Sequence, residues 1–485
     1  MKRTLTLALC ATALIACEKK EYCSNDPNAA PDAATCYAVQ DYGRSYKHFF
    51  QPKNAWVGDP MPFYDNGKFH IFYLYDQRPA PVTFHPWYSA TTTDLVDYTD
   101  NGEAIPCGAD GSHEDALGTG SVFKDGNTYY AFYTGHNGDL DPKEIIYWAT
   151  STDLKTWTKD TQHSFRAPDK YDRNEFRDPI VFKEGNAYKM LLSTRADIGS
   201  GVWKGVVAQF TSTDLKNWTK DPNTPFFYTD PSAFMVECPD VFTQGNYQYL
   251  IFSNIEESVR RVQYRYRRVG DKNWITPAQQ DLDDRVFYAG KTATDGTHRY
   301  IWGWNPSRIN YEDNSAYHWG GSLAVHELTQ NADGTLNVKM PTAFDSKQAV
   351  STSLGSISLD NNTRVFDRLS SGFNKIVAKI KANTATEFGV MFGACGNLYE
   401  TYRVTLNLNK GELQLNRVIR DGGTATINSI KLPVNANKEY TVKIVQEGSA
   451  AAIYVNDAVA LSIRCYKMNQ NPWGIFANGT ANFTF

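Results

Sequence analysis

The segment Asp125-Gly126-Asn127-Thr128-Tyr129-Tyr130-Ala131-Phe132-Tyr133 places a glycine turn directly before a strand of aromatic residues. The same pattern returns along the chain, more loosely in its last copy, and the turn glycines are Gly67, Gly126, Gly185, Gly245 and Gly296. They are separated by 59, 59, 60 and 51 residues. A period of this length indicates a repeat architecture built from small structural units.

A second marker keeps the same period. It consists of Asp94-Leu95, Asp153-Leu154 and Asp214-Leu215, each followed by an aromatic residue, with a weaker copy from Asp271 to Trp274. Each unit therefore predicts four short antiparallel strands with a glycine turn after the first. Five such units are typical of a five-bladed β-propeller. Five unrelated hairpins in two sandwiches are the alternative, but they leave the shared period of the two markers unexplained.

The pattern changes after about residue 341. Alternating segments such as Lys375-Ile376-Val377-Ala378-Lys379-Ile380 follow, without either repeat marker. Short strands of this kind with polar turns predict a β-sandwich. The sequence therefore predicts an all-β protein, with a propeller over residues 46–340 and a sandwich over residues 341–485.

The first residues resemble a bacterial lipoprotein signal. Lys2-Arg3 precedes an apolar run, too short to span a bilayer, that ends in Leu14-Ile15-Ala16-Cys17. We expect a signal peptide over residues 1–16, lipidation of Cys17 and a flexible tether over residues 17–45. The predicted location is the cell envelope, at the cell surface or the periplasmic face of a membrane. An ordinary secretory leader with an incidental Cys17 is the alternative.

Export permits disulfides, because the receiving compartment is oxidising. Cys23 with Cys36, and Cys395 with Cys465, are possible pairs, although sequence alone leaves the pairing open. The chain has no CxxC pair, HExxH motif or Cys/His cluster. We therefore expect no metal ion and no cofactor.

The charge balance argues against nucleic acid as a partner. The chain has 49 Lys and Arg against 53 Asp and Glu, a net charge of −4, whereas binding phosphates needs a basic surface. The basic run from Arg260 to Arg268 alternates with Tyr and Val, which favours a strand with a solvated face over a polyanion site. Aromatic residues make up 14% of the chain, which suits both stacking on sugars and an all-β core.

Three acids share one phase of the repeat. Asp59 lies eight residues before its turn glycine, Asp178 seven and Glu237 eight, and each stands one or two residues before a proline. Equivalent positions on successive blades face the same end of a propeller, so the three carboxylates are expected to converge. Clustered carboxylates suit glycoside cleavage, because one can stay ionised while another holds a proton.

On this interpretation Asp59 is the nucleophile and Glu237 the acid/base. Asp178, steadied by Arg177, anchors the hydroxyls of the substrate. The alternative is that Asp-Pro pairs only begin strands and form turns.

These residues resemble the motifs of glycoside hydrolase family 32, the fructan-cleaving enzymes related to invertase, levanase and inulinase. Trp56-Val57-Gly58-Asp59-Pro60 resembles the nucleophile motif, Phe176-Arg177-Asp178-Pro179 the stabiliser motif and Glu237-Cys238-Pro239-Asp240 the acid/base motif. The resemblance implies a retaining double displacement without a metal or organic cofactor. The residues expected to bind substrate are Trp56, Trp87, Ser121, Arg177, Tyr288 and Trp304.

Four positions depart from the family pattern, namely Gly58, Met61, Leu74 and Lys291, where the family places polar residues that bind the sugar. We therefore expect an active glycosidase with an altered furanoside preference, acting on an oligo- or polysaccharide. An inverting relative, a fructosyltransferase and a carbohydrate-binding lipoprotein without activity are the alternatives.

Overall fold

The structure is a computed structural model that describes residues 44–77, 85–256, 260–347, 349–350, 352–396, 398–420 and 422–485. The predicted signal peptide, Cys17, nearly all of the tether and the pair Cys23 and Cys36 lie outside the described residues. Within the described ranges the secondary structure is strand, apart from two short 3-10 turns at Ile309–Tyr311 and Thr342–Ser346. The all-β prediction is confirmed. No helix of the described part is long and apolar enough to cross a membrane.

Twenty strands form the region that carries the repeat. They are β1 (Trp56–Asp65), β2 (Lys68–Asp76), β3 (Trp87–Thr92), β4 (Thr99–Ile105), β5 (Ala116–Asp125), β6 (Thr128–His136), β7 (Glu144–Ser151), β8 (Thr158–Lys159), β9 (Tyr171–Glu184), β10 (Ala187–Asp197), β11 (Trp203–Ser212), β12 (Thr219–Lys220), β13 (Phe227–Tyr228), β14 (Val236–Gln244), β15 (Tyr247–Asn254), β16 (Arg261–Arg268), β17 (Tyr288–Thr294), β18 (Arg299–Arg308), β19 (Tyr317–Gln330) and β20 (Leu336–Lys339). The five predicted glycine turns all fall between the first and second strand of a unit.

These strands form four antiparallel sheets. Strands β5 to β8 form one sheet, β9 to β13 a second and β14 to β16 a third. The fourth has eight strands and joins the first unit to the last, because Val57 of β1 pairs with Gly321 of β19. The strand pairing therefore gives four sheets where the repeat predicted five separate ones.

The Asp-Leu marker forms the turn that follows the third strand of a unit. In the second unit the Asp153 carboxylate accepts hydrogen bonds from the backbone N–H groups of Lys155 and Thr156, at 2.8 and 2.7 Å. The following Leu154 has a φ of 60° and is buried. Leu95 and Leu215 repeat this conformation, with φ of 62° and 63°. The marker thus combines an Asx turn with an apolar side chain that anchors the turn to the core.

The C-terminal strands form one ten-stranded antiparallel sheet. They are β21 (Ser356–Arg368), β22 (Asn374–Ala382), β23 (Glu387–Phe392), β24 (Glu400–Asn407), β25 (Glu412–Ile419), β26 (Gly423–Lys431), β27 (Glu439–Glu447), β28 (Ala450–Val455), β29 (Val459–Arg464) and β30 (Pro472–Thr484). Strands β26 and β29 lie at opposite ends of the sheet order and yet contact each other. The sheet therefore folds over, and most of its buried apolar residues form one core.

The two regions are joined by buried polar contacts. Arg464 donates to the backbone carbonyls of Asn305 and Pro306, at 2.7 and 3.1 Å. Asp283 accepts from the backbone N–H of Ser462 at 2.9 Å, and its other oxygen lies 3.0 Å from His326 Nε2. Hydrogen bonding of every buried charge in this way is what makes such a junction tolerable in a low-dielectric interior.

The possible disulfide between Cys395 and Cys465 is wrong. Cys465 is a free, fully buried thiol, whereas Cys395 is disulfide-bonded, so the two are not joined to each other. The Cys465 thiol instead lies 3.7 Å from a carboxylate oxygen of Asp313.

Candidate active site

A β-bulge interrupts the first strand of all five units. In β1 the pairing shifts between Gly58 and Met61, which leaves Asp59 and Pro60 outside the regular ladder. Equivalent shifts occur opposite β6, β10, β15 and β18. Asp59 and Asp178 occupy the first bulged position, with φ of 32° and 61°. Bulges turn a side chain away from the regular alternation of a strand, and here they aim both carboxylates to the same end of the units.

The bulges show that the third acid, Glu237, does not hold the repeat position that the sequence predicted for it. Cys238, with a φ of 51°, is the residue equivalent to Asp59 and Asp178, and Glu237 is the last paired residue before the bulge. The offset arises in the turns. Glycine is the second turn residue in Asn66-Gly67 but the first in Gly185-Asn186 and Gly245-Asn246, so counting from glycine misplaces one unit by one residue.

The three acids nevertheless line one cavity of about 470 Å³. Its other walls include Arg177, Leu74, His85, Thr119 and Trp319. This places Asp59, Asp178 and Glu237 in a single sugar-sized hollow, as the repeat predicted.

Asp59 is held by two side-chain hydrogen bonds. Thr119 Oγ1 donates to Oδ2 at 2.5 Å, and Trp304 Nε1 donates to Oδ1 at 2.9 Å. Burial raises the pKa of Asp59 above its usual value, and these two hydrogen bonds offset part of that rise. The charge of Glu237 adds to the rise, while that of Arg260 opposes it.

Asp178 is buried and accepts a hydrogen bond of 2.8 Å from the backbone N–H of Cys238. Burial raises the pKa of Asp178 to about 7, although the charge of Arg177 opposes the rise. The Cys238 thiol is also buried and lies 3.9 Å from Asp59 Oδ2, and burial raises its pKa well above the usual value. Cys238 thus places a small side chain between the two aspartates.

Glu237 is partly exposed, with 27% of its side chain accessible. Arg177 Nη2 donates to Oε1 at 3.1 Å, and the Tyr288 hydroxyl donates to Oε2 at 2.9 Å. The second amino group of Arg177 contacts the carboxylates of Glu144 and Glu175. The sequence predicted that Arg177 steadies Asp178, but the direct ion pairs of Arg177 are with Glu144, Glu175 and Glu237.

Several predicted substrate-binding residues lie elsewhere. Trp56 and Trp87 have no exposed surface, and Trp87 Nε1 donates to the carbonyl of Gly118 at 3.0 Å. Their burial contradicts the prediction that they contact the sugar. Ser121 lines a different cavity, of about 400 Å³, where its hydroxyl accepts a hydrogen bond from the Val181 N–H. Tyr288 and Trp304 contact Glu237 and Asp59 and are themselves almost fully buried.

The four residues that depart from the family pattern fall into two groups by their location. Leu74 lines the cavity with the acids, and the backbone of Gly58 lies under the indole of Trp319. Met61 and Lys291 line the other cavity and contact Gly120, whose N–H donates to Met61 Sδ and whose carbonyl accepts from Lys291 Nζ at 2.9 Å. The departures near the acids are therefore Gly58 and Leu74.

Sequence analysis missed Thr119, Glu144 and the position of Trp319. Thr119 is the second residue of the bulge in the second unit, and it lies seven residues before Gly126, the same spacing as Asp178 before Gly185, so the repeat spacing could have found it. Glu144 begins β7, accepts a hydrogen bond from the Phe176 N–H at 2.6 Å and carries no repeat signal. Although burial opposes its ionisation, the charge of Arg177 and its hydrogen bonds keep the pKa of Glu144 below the usual value.

An all-β scaffold that brings Asp59, Asp178 and Glu237 into one hollow, with raised pKa values for the two aspartates, has the groups that acid/base cleavage of a glycoside needs. This arrangement defines the class of protein as a glycoside hydrolase. Two family models agree with it: the Glycosyl hydrolases family 32 N-terminal domain matches residues 48–339, and the GH32, BT1760-like, C-terminal domain matches residues 324–483. The chain belongs to glycoside hydrolase family 32.

Individual relatives are distant. The chain is 25% identical to raffinose invertase of Escherichia coli over 439 residues, which covers 86% of this chain and 88% of that protein. It is 28% identical to fructan 1-exohydrolase of Hordeum vulgare over 323 residues, covering 60% of this chain but only 53% of that protein.

The fold is shared with solved structures at low identity. Fructan 1-exohydrolase IIa from Cichorium intybus, in complex with 1-kestose, has a TM-score of 0.72 at 17% identity, covering 92% of this chain and 96% of that one. Sucrose-6-phosphate hydrolase from Lactobacillus gasseri has a TM-score of 0.70 at 20% identity, covering 91% and 93%.

Proposed function

We propose that this family 32 hydrolase cleaves fructofuranosidic linkages by a retaining double displacement, with Asp59 as nucleophile and Glu237 as acid/base. The observation that carries the proposal is the convergence of Asp59, Asp178 and Glu237 on one cavity. The relatives support the substrate class, because their names describe invertases and fructan exohydrolases.

In the first step Asp59 attacks the anomeric carbon of the fructosyl unit, and Glu237 gives its proton to the departing oxygen. This leaves a covalent fructosyl ester on Asp59 and a carboxylate on Glu237. In the second step Glu237 takes a proton from water, the resulting hydroxide displaces Asp59, and fructose leaves. Arg177 and Tyr288 orient the Glu237 carboxyl, and Asp178 accepts hydrogen bonds from the sugar hydroxyls.

The stereochemistry of the first product tests this mechanism. NMR of a fresh reaction is expected to show fructose released with the anomeric configuration of the substrate. Release of the opposite anomer contradicts the double displacement and supports the inverting alternative. Transfer products at high substrate concentration support a fructosyltransferase instead.

Two variants separate an enzyme from a binding protein. Glu237→Gln and Asp59→Asn are each expected to abolish turnover while retaining sugar binding in calorimetry. If wild type also binds without cleaving sucrose, inulin, levan or an arabinofuranoside, the protein is a binding protein. Efficient, invertase-like hydrolysis of sucrose argues against an altered furanoside preference.

We also propose that the five units close into a five-bladed ring. The first strands β1, β5, β9, β14 and β17 each contribute residues to the cavity of about 400 Å³, as strands around a central channel do. An experimental structure tests this arrangement, and an open arc of sheets contradicts it.

The lipid anchor at Cys17 is a further proposal, supported by the leader that precedes it. Labelling of the expressed protein with a radioactive fatty acid tests it. Wild type is expected to take up the label and Cys17→Ser to lose it, whereas an unlabelled wild type supports an ordinary secretory leader.

A further inference from the structure

Glu144 is a buried carboxylate that takes no direct part in the proposed mechanism. It begins β7 in the second unit, is paired with His136 of β6, and has only 6% of its side chain accessible. It also borders the cavity that contains the three acids. Burial opposes its ionisation, but the charge of Arg177 and several hydrogen bonds hold the pKa of Glu144 below its usual value. The side chain is therefore negatively charged at neutral pH.

Two groups of the third unit bind this carboxylate. The Phe176 N–H donates to Oε2 at 2.6 Å, and Arg177 Nη1 donates to Oε1 at 3.3 Å. Both residues stand directly before the bulge that carries Asp178. From the side of its own unit, His136 Nδ1 lies 3.5 Å from Oε1. Glu144 thus fixes both a backbone N–H and a guanidinium at the entrance to the bulge.

The Arg177 guanidinium connects Glu144 to the proposed acid/base residue. Its Nη1 contacts Glu144 and Glu175, while its Nη2 donates to Glu237 Oε1 at 3.1 Å. Burial opposes the charge of Arg177, but the carboxylates around it, with Glu144 the strongest, raise the pKa of the guanidinium well above its usual value. The contacts from Glu144 through Arg177 to Glu237 therefore cross three consecutive units.

The two carboxylates at Arg177 Nη1 differ in how firmly they are held. Glu175 has 29% of its side chain accessible, so water competes for its contact with the guanidinium. Glu144 is enclosed and also accepts from the Phe176 N–H, and moving it would leave that buried N–H unpaired, at a cost in free energy. Glu144 is therefore the fixed partner that sets the direction of the Arg177 side chain.

We propose that Glu144 is a positioning residue for proton transfer by Glu237. It fixes the Arg177 guanidinium so that Nη2 points at Glu237, and its negative charge offsets the positive charge of Arg177. Without this offset, a cation 3.1 Å from Glu237 would favour the ionised carboxylate, whereas the departing oxygen needs the protonated form. The inference rests on the proposed function, because that function makes Glu237 the acid.

The leaving group of the substrate tests the proposal in the full chain. A sugar oxygen needs a proton from Glu237 in order to leave, whereas the nitrophenolate of 4-nitrophenyl β-D-fructofuranoside leaves with little protonation. Glu144→Gln keeps the size of the side chain and removes its charge. Among sucrose, inulin and levan, we take the substrate that wild type cleaves fastest, and expect Glu144→Gln to lower its kcat/KM by about tenfold or more, mainly through kcat. The kcat/KM for the nitrophenyl substrate should fall by no more than about threefold. Equal losses on the two substrates overturn the proposal.

Glu447→Gln is the matched control. Glu447 is also a buried carboxylate that accepts a backbone N–H, that of His48 at 2.8 Å, but it does not line the cavity. We expect this variant to lose stability and to keep the wild-type ratio of the two kcat/KM values. Glu144→Asp retains the charge on a side chain that is one methylene shorter, so it should show a smaller selective loss than Glu144→Gln. If Glu144→Gln does not fold, an unchanged ratio in Glu144→Asp overturns the proposal.

A double-mutant cycle shows whether Glu144 acts through Arg177. In an Arg177→Met background, Glu144→Gln should not change the ratio of the two kcat/KM values further, because the side chain that connects it to Glu237 is gone. A second full loss in that background contradicts positioning through Arg177.

Turnover by wild type is measured first, because it tests the proposed function separately. Failure of wild type to cleave any fructofuranoside contradicts that function, whereas an active wild type with equal losses in Glu144→Gln contradicts only the role of Glu144. If wild type does not accept the nitrophenyl substrate, a crystal structure of Glu144→Gln decides instead. We expect Arg177 Nη2 to have turned away from Glu237, and an unchanged contact between them overturns the proposal.

Discussion

Trp304 Nε1 donates a hydrogen bond of 2.9 Å to Asp59 Oδ1, so an almost fully buried indole holds the proposed nucleophile. This hydrogen bond stabilises the ionised form of a carboxylate whose pKa is raised by burial.

Trp304→Phe is expected to move the acid limb of the kcat/KM profile to higher pH. Loss of one hydrogen bond to the carboxylate raises the pKa of Asp59 further, because the Trp304 hydrogen bond lowers it in the wild type. Because the nucleophile must be ionised, activity is then lost at a higher pH as the solution is acidified. A pH series of initial rates measures the shift.

Trp302→Phe is the matched control for this variant. Trp302 lies two residues away on β18 and donates instead to the Tyr98 hydroxyl at 2.9 Å. We expect Trp302→Phe to lose some stability but to keep the acid limb of the wild-type kcat/KM profile. Equal shifts in both variants would contradict a specific role for Trp304.

Tyr288→Phe is expected to lower kcat by about 3- to 30-fold with little change in KM, because Glu237 loses a donor that orients its carboxyl group. Tyr73→Phe serves as the control, since the buried Tyr73 hydroxyl has no hydrogen-bond partner among the described residues. Steady-state kinetics on the same substrate measures both. An unchanged kcat in Tyr288→Phe shows that the hydroxyl does not position Glu237 for proton transfer.

Asp178→Asn is expected to make stability less dependent on pH. Burial gives Asp178 a pKa of about 7, above the usual aspartate value of 3.8, so between these values the folded protein binds a proton that the unfolded chain does not. The contribution of this group is therefore largest at acid pH and is lost as the pH rises through about 7. Between pH 5 and pH 8 the free energy of unfolding of wild type should fall by on the order of 3 kcal/mol relative to that of Asp178→Asn.

Urea unfolding at pH 5 and pH 8 measures this difference. Asp153→Asn is the control, because turn hydrogen bonds lower the pKa of Asp153 to about 2. Asp153 is therefore ionised in both the folded and the unfolded protein from pH 5 to pH 8. If the free energy of unfolding of wild type changes no more than that of Asp178→Asn between the two pH values, the pKa of Asp178 is not raised.

The repeat made the units and their turns predictable, because a two-residue turn and a following aromatic strand leave a local signature. The predicted glycines all fall between first and second strands, and the acids of the first and third units share the same bulge position. Sequence could not show the bulge itself, since it is a mismatch between two strands. Glu237 was placed in phase with Asp59 because the spacing was counted from glycines that hold different positions in their turns, although Cys238 is the equivalent residue.

The aromatic residues were harder to interpret, because the same side chain suits a sugar platform and a core. Trp56 and Trp87 are buried core residues, whereas the indole N–H of Trp304 donates a hydrogen bond to Asp59. The pairing of β1 with β19 depends on residues more than 250 positions apart, and no local pattern encodes it. A cavity of about 650 Å³ is likewise lined by distant segments, from Arg260 to Ile427 of the C-terminal sheet.

Gly58 and Trp319 are expected to be coupled. A Cβ atom built at Gly58 would lie 2.0 Å from Trp319 Cη2, so the indole occupies the space that any side chain at position 58 needs. Gly58→Ala should therefore destabilise the protein by about 1–3 kcal/mol, the usual range for overpacking a filled site. Gly372→Ala is the control, because no atom lies within 4 Å of a Cβ at that glycine.

The coupling is tested with a double-mutant cycle in urea unfolding. Trp319→Ala removes the obstructing ring, and in that background Gly58→Ala should cost little, so the interaction energy approaches the cost of the single substitution. If Gly58→Ala costs the same in both backgrounds, the ring does not hold the space above Gly58. If Gly58 and Trp319 are coupled, the glycine at position 58 and the position of the Trp319 indole together determine the shape of the cavity. A polar residue restored at position 58 alone should then fail to restore a sugar contact, because the indole must move first.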